Sequence, residues 1–165
     1  MRALRTGLVI ALLGSACAPV TMKTPVSGPA PSVSRLVGDW QGQYDSAESG
    51  RRGLISFHLK AGADTAEGDV IMQTSVDNDP VAPNAPSSHA VQSEQALSIR
   101  FVFVSENEIS GTLNPYRDPT CGCALTTTFR GTIKGNEIKG TFHSEGNGFW
   151  HMPTDGTWWV KRYTR

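Results

Sequence analysis

Cys121-Gly122-Cys123 is the part of this chain most capable of chemistry. Two thiols this close can join in an oxidising compartment, or as thiolates hold a soft metal or exchange with another disulfide. Two readings follow: a structural disulfide that stiffens the loop 114–123, and a redox or thiolate metal site. A thioredoxin-type site would place Cys-x-x-Cys before a helix, a pattern not found here. The histidines His58, His89, His143 and His151 lack a metal-ligand spacing such as His-x-x-x-His, so no metal and no cofactor is expected. His58 is opposite in phase to Phe57 and should face solvent, whereas His143 and His151 flank a loop that could bring them to the cysteine pair. No nucleophile elbow, Walker loop, dinucleotide fingerprint or Ser-x-x-Lys occurs. Asp64, Asp69, Asp77 and Asp79 read as turn chemistry. Catalysis is therefore the least favoured function.

The remaining cysteine, Cys17, belongs to a different pattern. Met1-Arg-Ala-Leu-Arg is basic, Gly7–Leu13 is apolar, and Leu13-Gly14-Ser15-Ala16 leads into Cys17. Basic, apolar and small residues in that order make a secretory signal. The apolar run is too short for a stable membrane-spanning helix. The Cys after the small residues resembles the lipobox of bacterial lipoproteins. That resemblance implies a signal peptide over 1–16, acylation of Cys17 and anchoring by its acyl chains. Ala18 stands where an inner-membrane retention signal would have Asp. By the same resemblance this favours the outer membrane, facing the periplasm or the cell surface. Cleavage would remove Arg2 and Arg5, leaving 13 Lys and Arg against 15 Asp and Glu, a net charge of −2. With no basic excess, a nucleic-acid partner is not expected.

Residues 17–34 follow with Pro19, Pro25, Pro29 and Pro31 among Ser, Thr, Ala and Val, and read as a flexible tether. Its ends would lie on the order of 25 Å apart. The domain proper is then 35–165, a length that suits one domain.

The elements that must position any site are strands. Phe129–Phe142 reads as two strands around Gly135-Asn136, a pair suited to a tight hairpin. Gly-Thr-apolar recurs at Gly111-Thr112-Leu113, Gly131-Thr132-Ile133, Gly140-Thr141-Phe142 and Gly156-Thr157-Trp158, each time with Gly and the apolar residue on one face. Eight strands are expected, at 37–45, 52–60, 67–74, 96–104, 108–113, 124–134, 137–143 and 156–163. The fold class is all-β, and an up-and-down antiparallel barrel would leave no free edge. Trp40, Ile55, Phe57, Leu59, Leu97, Ile99, Phe101, Phe103, Leu113, Phe129, Ile133, Phe142 and Trp158 should face inward. Val102 and Val104 should then face outward with Arg100. The inner glycines allow either close packing or open space.

Gly38-Asp39-Trp40 on the first strand, with Arg162 near the end of the last, resembles the Gly-x-Trp motif and basic closure residue of lipocalins and their calycin relatives. The resemblance implies a small calycin-like barrel closed at one end by Arg162 over Trp40.

In a meander, successive connections alternate between two ends. The long ones, 46–51, 75–95, 114–123 and 144–155, fall together, and strand one should enter from the tether at the other end. The long-loop end gathers Tyr116, Arg117, the cysteine pair, Phe149, Trp150 and His151, the candidate binding residues. The favoured function is a lipid-anchored envelope barrel that binds a small apolar or amphipathic ligand. The alternative is an envelope interaction or assembly factor that binds protein or glycan through the long loops; a small enzyme comes last.

Overall fold

The Gly-Thr-apolar strands pair as their spacing requires. In the computed structural model, which describes residues 22–74, 93–119, 121–146 and 153–163, Ile133 faces Ile138, Gly131 faces Gly140 and Phe129 faces Phe142. Gly135, at a φ of 60°, makes the turn between them.

The strands are β1 (Lys23–Ser27), β2 (Gly38–Ser46), β3 (Arg51–Leu59), β4 (Thr65–Thr74), β5 (Ser93–Leu97), β6 (Ile99–Ser105), β7 (Glu108–Leu113), β8 (Tyr116–Arg117), β9 (Ala124–Lys134), β10 (Glu137–Gly146) and β11 (Thr154–Tyr163). A short helix α1 (Ala30–Val33) and a 3-10 turn (Ser34–Leu36) lie between β1 and β2. The fold is all-β and closes on itself: β1, β6, β7, β9, β10, β11, β2, β3 and β4 follow one another round the wall, and β4 pairs back to β1.

Each of the eight expected strands has a counterpart, but they do not form an eight-stranded up-and-down barrel. The fourth breaks at Ser98 into β5 and β6. β4 pairs with β5 only through Val70–Thr74, while its lower part, Thr65–Glu67, pairs with β1. β1 fills the wedge where β6 leaves β4, antiparallel to β4 and parallel to β6. The barrel therefore has nine strands and one parallel seam.

The filling strand comes from the stretch read as a tether. Thr24 and Val26 point inward and are buried. Pro31 sits in the first turn of α1, where its missing N–H costs nothing. The flexible reading does not hold over 23–34. The expected first strand, β2, does start at the short-turn end, but the chain has already joined the wall at β1. Met22 lies partway up the wall, its carbonyl accepting from Gly68 N–H at 3.1 Å and its sulfur 2.8 Å from the Ser98 hydroxyl. From there β1 runs down to the short-turn end. Gly28 then passes so close to Val104 that a Cβ would lie 2.0 Å from its carbonyl oxygen.

A bulge corrects the inner face of β6. Ile99 opposes Leu113 and Phe101 opposes Thr112, so Arg100 is the extra residue. One extra residue inverts the alternation. Val102 and Val104 are buried, while Phe101 and Phe103 are 42% and 44% exposed. The inner glycines give room to rings. A Cβ at Gly140 would lie 2.6 Å from Trp158 Nε1, and one at Gly131 2.7 Å from Trp158 Cζ2. Trp158 therefore lies flat against the wall.

Candidate functional site

Trp40 and Tyr44 stand four residues apart on β2, so both point into the barrel. They mark its two ends.

At the short-turn end, Trp40 is fully buried. Its Nε1–H donates to Leu36 O at 2.9 Å, and Phe57 stacks on it with ring centres 5.7 Å apart. The Arg162 guanidinium lies 4.5 Å from the Trp40 ring centre. Its terminal nitrogens donate to Val37 O and, at 2.7 Å, to Arg35 O. Arg162 thus lies across the Trp40 ring, with Leu36 buried beside Trp40.

The long-loop end is lined, among the described residues, by polar side chains. A cavity of about 90 Å³ lies below it inside the barrel. Its walls are Ile55, Val70, Met72, Leu97, Ile99, Leu113, Phe129, Phe142 and Trp158. Its polar side holds Tyr44, Arg51, Tyr116, Thr127 and Ser144. A second void of about 60 Å³ lies towards the short-turn end, against Thr24, Val26, Leu36 and Leu59. Ile55, Ile99, Phe129 and Trp158 line both and form a waist between them.

The polar side is built largely from pairs. Tyr116 Oη is 3.2 Å from Thr127 Oγ1, which is 2.7 Å from Ser144 Oγ on the facing strand. Arg51 and the buried Asp118 form an ion pair at 2.5 Å. Tyr44 differs. It is 9% exposed, and its hydroxyl finds no hydrogen-bond partner among the described residues. Burial first, and the Tyr116 hydroxyl second, push its phenol well above the usual tyrosine range, against an opposing pull from Arg51. Tyr44 therefore keeps its proton and acts as a donor.

Of the candidate residues, Tyr116 lines the cavity, whereas Arg117 turns outward and donates to Gly122 O at 2.8 Å. Cys121 and Cys123 are bonded to each other. Asp118 supports that loop: its carboxylate accepts the Cys121 N–H at 3.4 Å. Potential ligand atoms of Asp118, Cys121 and Cys123 lie within 4.8 Å of one another. In the bonded state the sulfurs are not thiolates, and Asp118 is engaged by Arg51. His143 does not turn to the cysteines: its ring nitrogens face Asp155 at 2.8 Å and Glu145 at 3.1 Å. His58, half-exposed, pairs with Asp39 at 2.8 Å. Cys17, His89, Phe149, Trp150 and His151 lie outside the described residues.

Tyr44, Arg51, Asp118, Thr127 and Ser144 are the residues that sequence reasoning passed over. Tyr44 carried a usable signal, being in phase with Trp40 on an expected strand. Arg51 and Asp118 carried none, because their pairing joins segments 67 residues apart.

No protein family, curated protein or solved structure matches this chain.

Proposed function

We propose that this protein is a lipid-anchored envelope barrel, calycin-like in architecture, that binds a small apolar or amphipathic ligand at its long-loop end. The observation that carries the reading is the apolar cavity between the Trp158 waist and the mouth, with polar groups gathered on one side. Few convergent polar groups in an apolar hollow are what small-molecule sites share. The cavity is far smaller than the roughly 300–1,000 Å³ of a drug-sized site. The ligand is accordingly compact, or is a short chain that projects through the mouth. A catalytic role fits poorly, since the most perturbed group, Tyr44, is driven away from neutral pH and holds its proton.

Methyl and indole NMR spectra recorded during titration with n-pentane, a short chain, test the binding. Shifts that saturate at Met72, Leu97, Leu113 and Trp158, and are lost in Leu97→Trp, are expected. Unmoved resonances up to the solubility of n-pentane would sink the reading. The anchor is tested by Cys17→Ser, which should release the protein from membranes and remove its acyl mass.

A second reading, an envelope interaction factor, is favoured by Phe101 and Phe103, neighbours on the outer face of β6. Line broadening confined to those two rings on adding envelope extract would favour it over the cavity.

A further inference from the structure

The Tyr44 hydroxyl is a buried donor with no acceptor among the described residues, and its ring is packed by its neighbours. Phe142 meets that ring edge-on at 5.7 Å. Gly53 lies under it so closely that a Cβ there would be 2.5 Å from Tyr44 Cε1. A buried hydroxyl left without a partner is costly and calls for an explanation. This one sits in the wall of a cavity whose other surfaces are mostly apolar.

We propose that the mouth cavity selects an uncharged ligand carrying one acceptor oxygen, such as a ketone, ester or amide carbonyl, to which Tyr44 Oη–H donates. The inference rests on the ligand-binding reading above and narrows it. The apolar remainder of the ligand would lie against Met72, Leu97, Leu113 and Trp158. Scaled from the roughly 150 Å³ cavity that holds benzene, the enclosed part takes about four heavy atoms.

The rim argues against a charged ligand. Arg51 already faces a buried carboxylate, Asp118, so the two charges offset each other locally. A ligand carboxylate entering beside that pair would lose its hydration without meeting an uncompensated cation among the described residues of the cavity wall. Thr127 and Ser144 bond each other and Tyr116 bonds Thr127, so each of these three hydroxyls has at least one partner, whereas Tyr44 has none among the described residues. A neutral carbonyl needs one donor, and Tyr44 has one to give. Burial raises the phenol's pKa, so that donor persists across physiological pH.

Three probes of equal heavy-atom count test the idea on the full chain: methyl propyl ketone, the alkene in which CH2 replaces its carbonyl oxygen, and butanoate. Affinities come from NMR titration of the wall resonances, in the wild type and in Tyr44→Phe. The ketone-to-alkene affinity ratio should fall about tenfold in Tyr44→Phe, the scale of one good hydrogen bond. Butanoate should bind the wild type more weakly than the ketone. An unchanged ratio, or butanoate binding tightest, would overturn the inference while leaving the ligand-binding reading in place. If none of the three moves the wall resonances, both fail. Should Tyr44→Phe not fold, the wild type still decides. The infrared carbonyl band of the bound ketone should shift to lower frequency than in hexane, and an unshifted band counts against Tyr44 as the donor.

Discussion

Two aromatic residues on one strand, each near an arginine, end in opposite states. Trp40 has its N–H satisfied, a stacked neighbour and a guanidinium across its face. Arg162 donates to two backbone carbonyls, so it ties β11 to the segment before β2. Its Nε–H has no hydrogen-bond partner among the described residues. Tyr44, two repeats of the pleat further on, has an edge-on ring and a hydroxyl with no partner among the described residues, and the nearby Arg51 is engaged by Asp118. The first arrangement closes and stabilises. The second keeps a donor in reserve beside empty volume. Comparing them separates residues that hold the barrel from residues that can be asked to bind something.

The largest effect should come from the closed end. Trp40→Ala removes a fully buried indole and the platform beneath Arg162. It should cost about 3–5 kcal/mol in urea denaturation. Leu113→Ala, on a wall that already borders a cavity, should fall near the lower end of the ~2–5 kcal/mol range. Equal losses at the two sites would break the comparison, because the mouth would then be as tightly coupled to stability as the base.

A middle-sized effect is expected from reducing Cys121–Cys123. The ring is short, so chain-entropy reasoning gives about 1–2 kcal/mol. Its placement should matter more than its size. Asp118 accepts from the Cys121 N–H and pairs with Arg51, which lines the cavity. Reduction should therefore raise amide exchange over 114–125 and at Arg51, and leave 37–42 protected. Faster exchange at both ends would show that the loop supports the whole barrel and not the mouth alone.

Much of the closed end was legible in the sequence, and the reasons are local. Period-two alternation and repeated Gly-Thr-apolar units announced β9, β10 and β11, and the phase of β2 put Trp40 inside. What escaped were features set by distant segments. β1 looks like linker because Pro25 lies in it and Pro29 and Pro31 follow it; only the gap between β4 and β6 makes a strand of it. The bulge at Arg100 leaves no mark in an apolar run, so Phe101 and Phe103 were placed inside when they lie outside. The mouth was half legible. Its location followed from loop parity and Tyr116 from composition, whereas the Arg51–Asp118 and Thr127–Ser144 pairs exist only once the strands are side by side.

The smallest effect concerns pH, and it too should divide the ends. The base is held by the Arg162 guanidinium across Trp40 and its bonds to backbone carbonyls, with the His58–Asp39 pair beside them on β2 and β3. The mouth rim is held partly by His143 on β10, between Asp155 on β11 and Glu145 on its own strand. Asp155 is in turn tied to the β2–β3 loop, its N–H donating to Glu48 at 2.7 Å. Hydrogen bonds from Asp155 first and Glu145 second raise the His143 pKa above its ordinary 6.5. A raised folded-state value means that the protonated form binds the rim together. Its contribution is complete below pH 6.5 and fades as pH rises through the higher folded value. His143 is 40% exposed, so the contribution should be a fraction of a kcal/mol, the scale of exposed ion pairs. His143→Gln should flatten this slope in denaturation midpoints measured across that window. Amide exchange should show the wild-type change at 143–146 and 154–156, and that change should vanish in His143→Gln. A slope that survives in His143→Gln would assign the titration to other groups and remove pH from the list of ways in which the two ends differ.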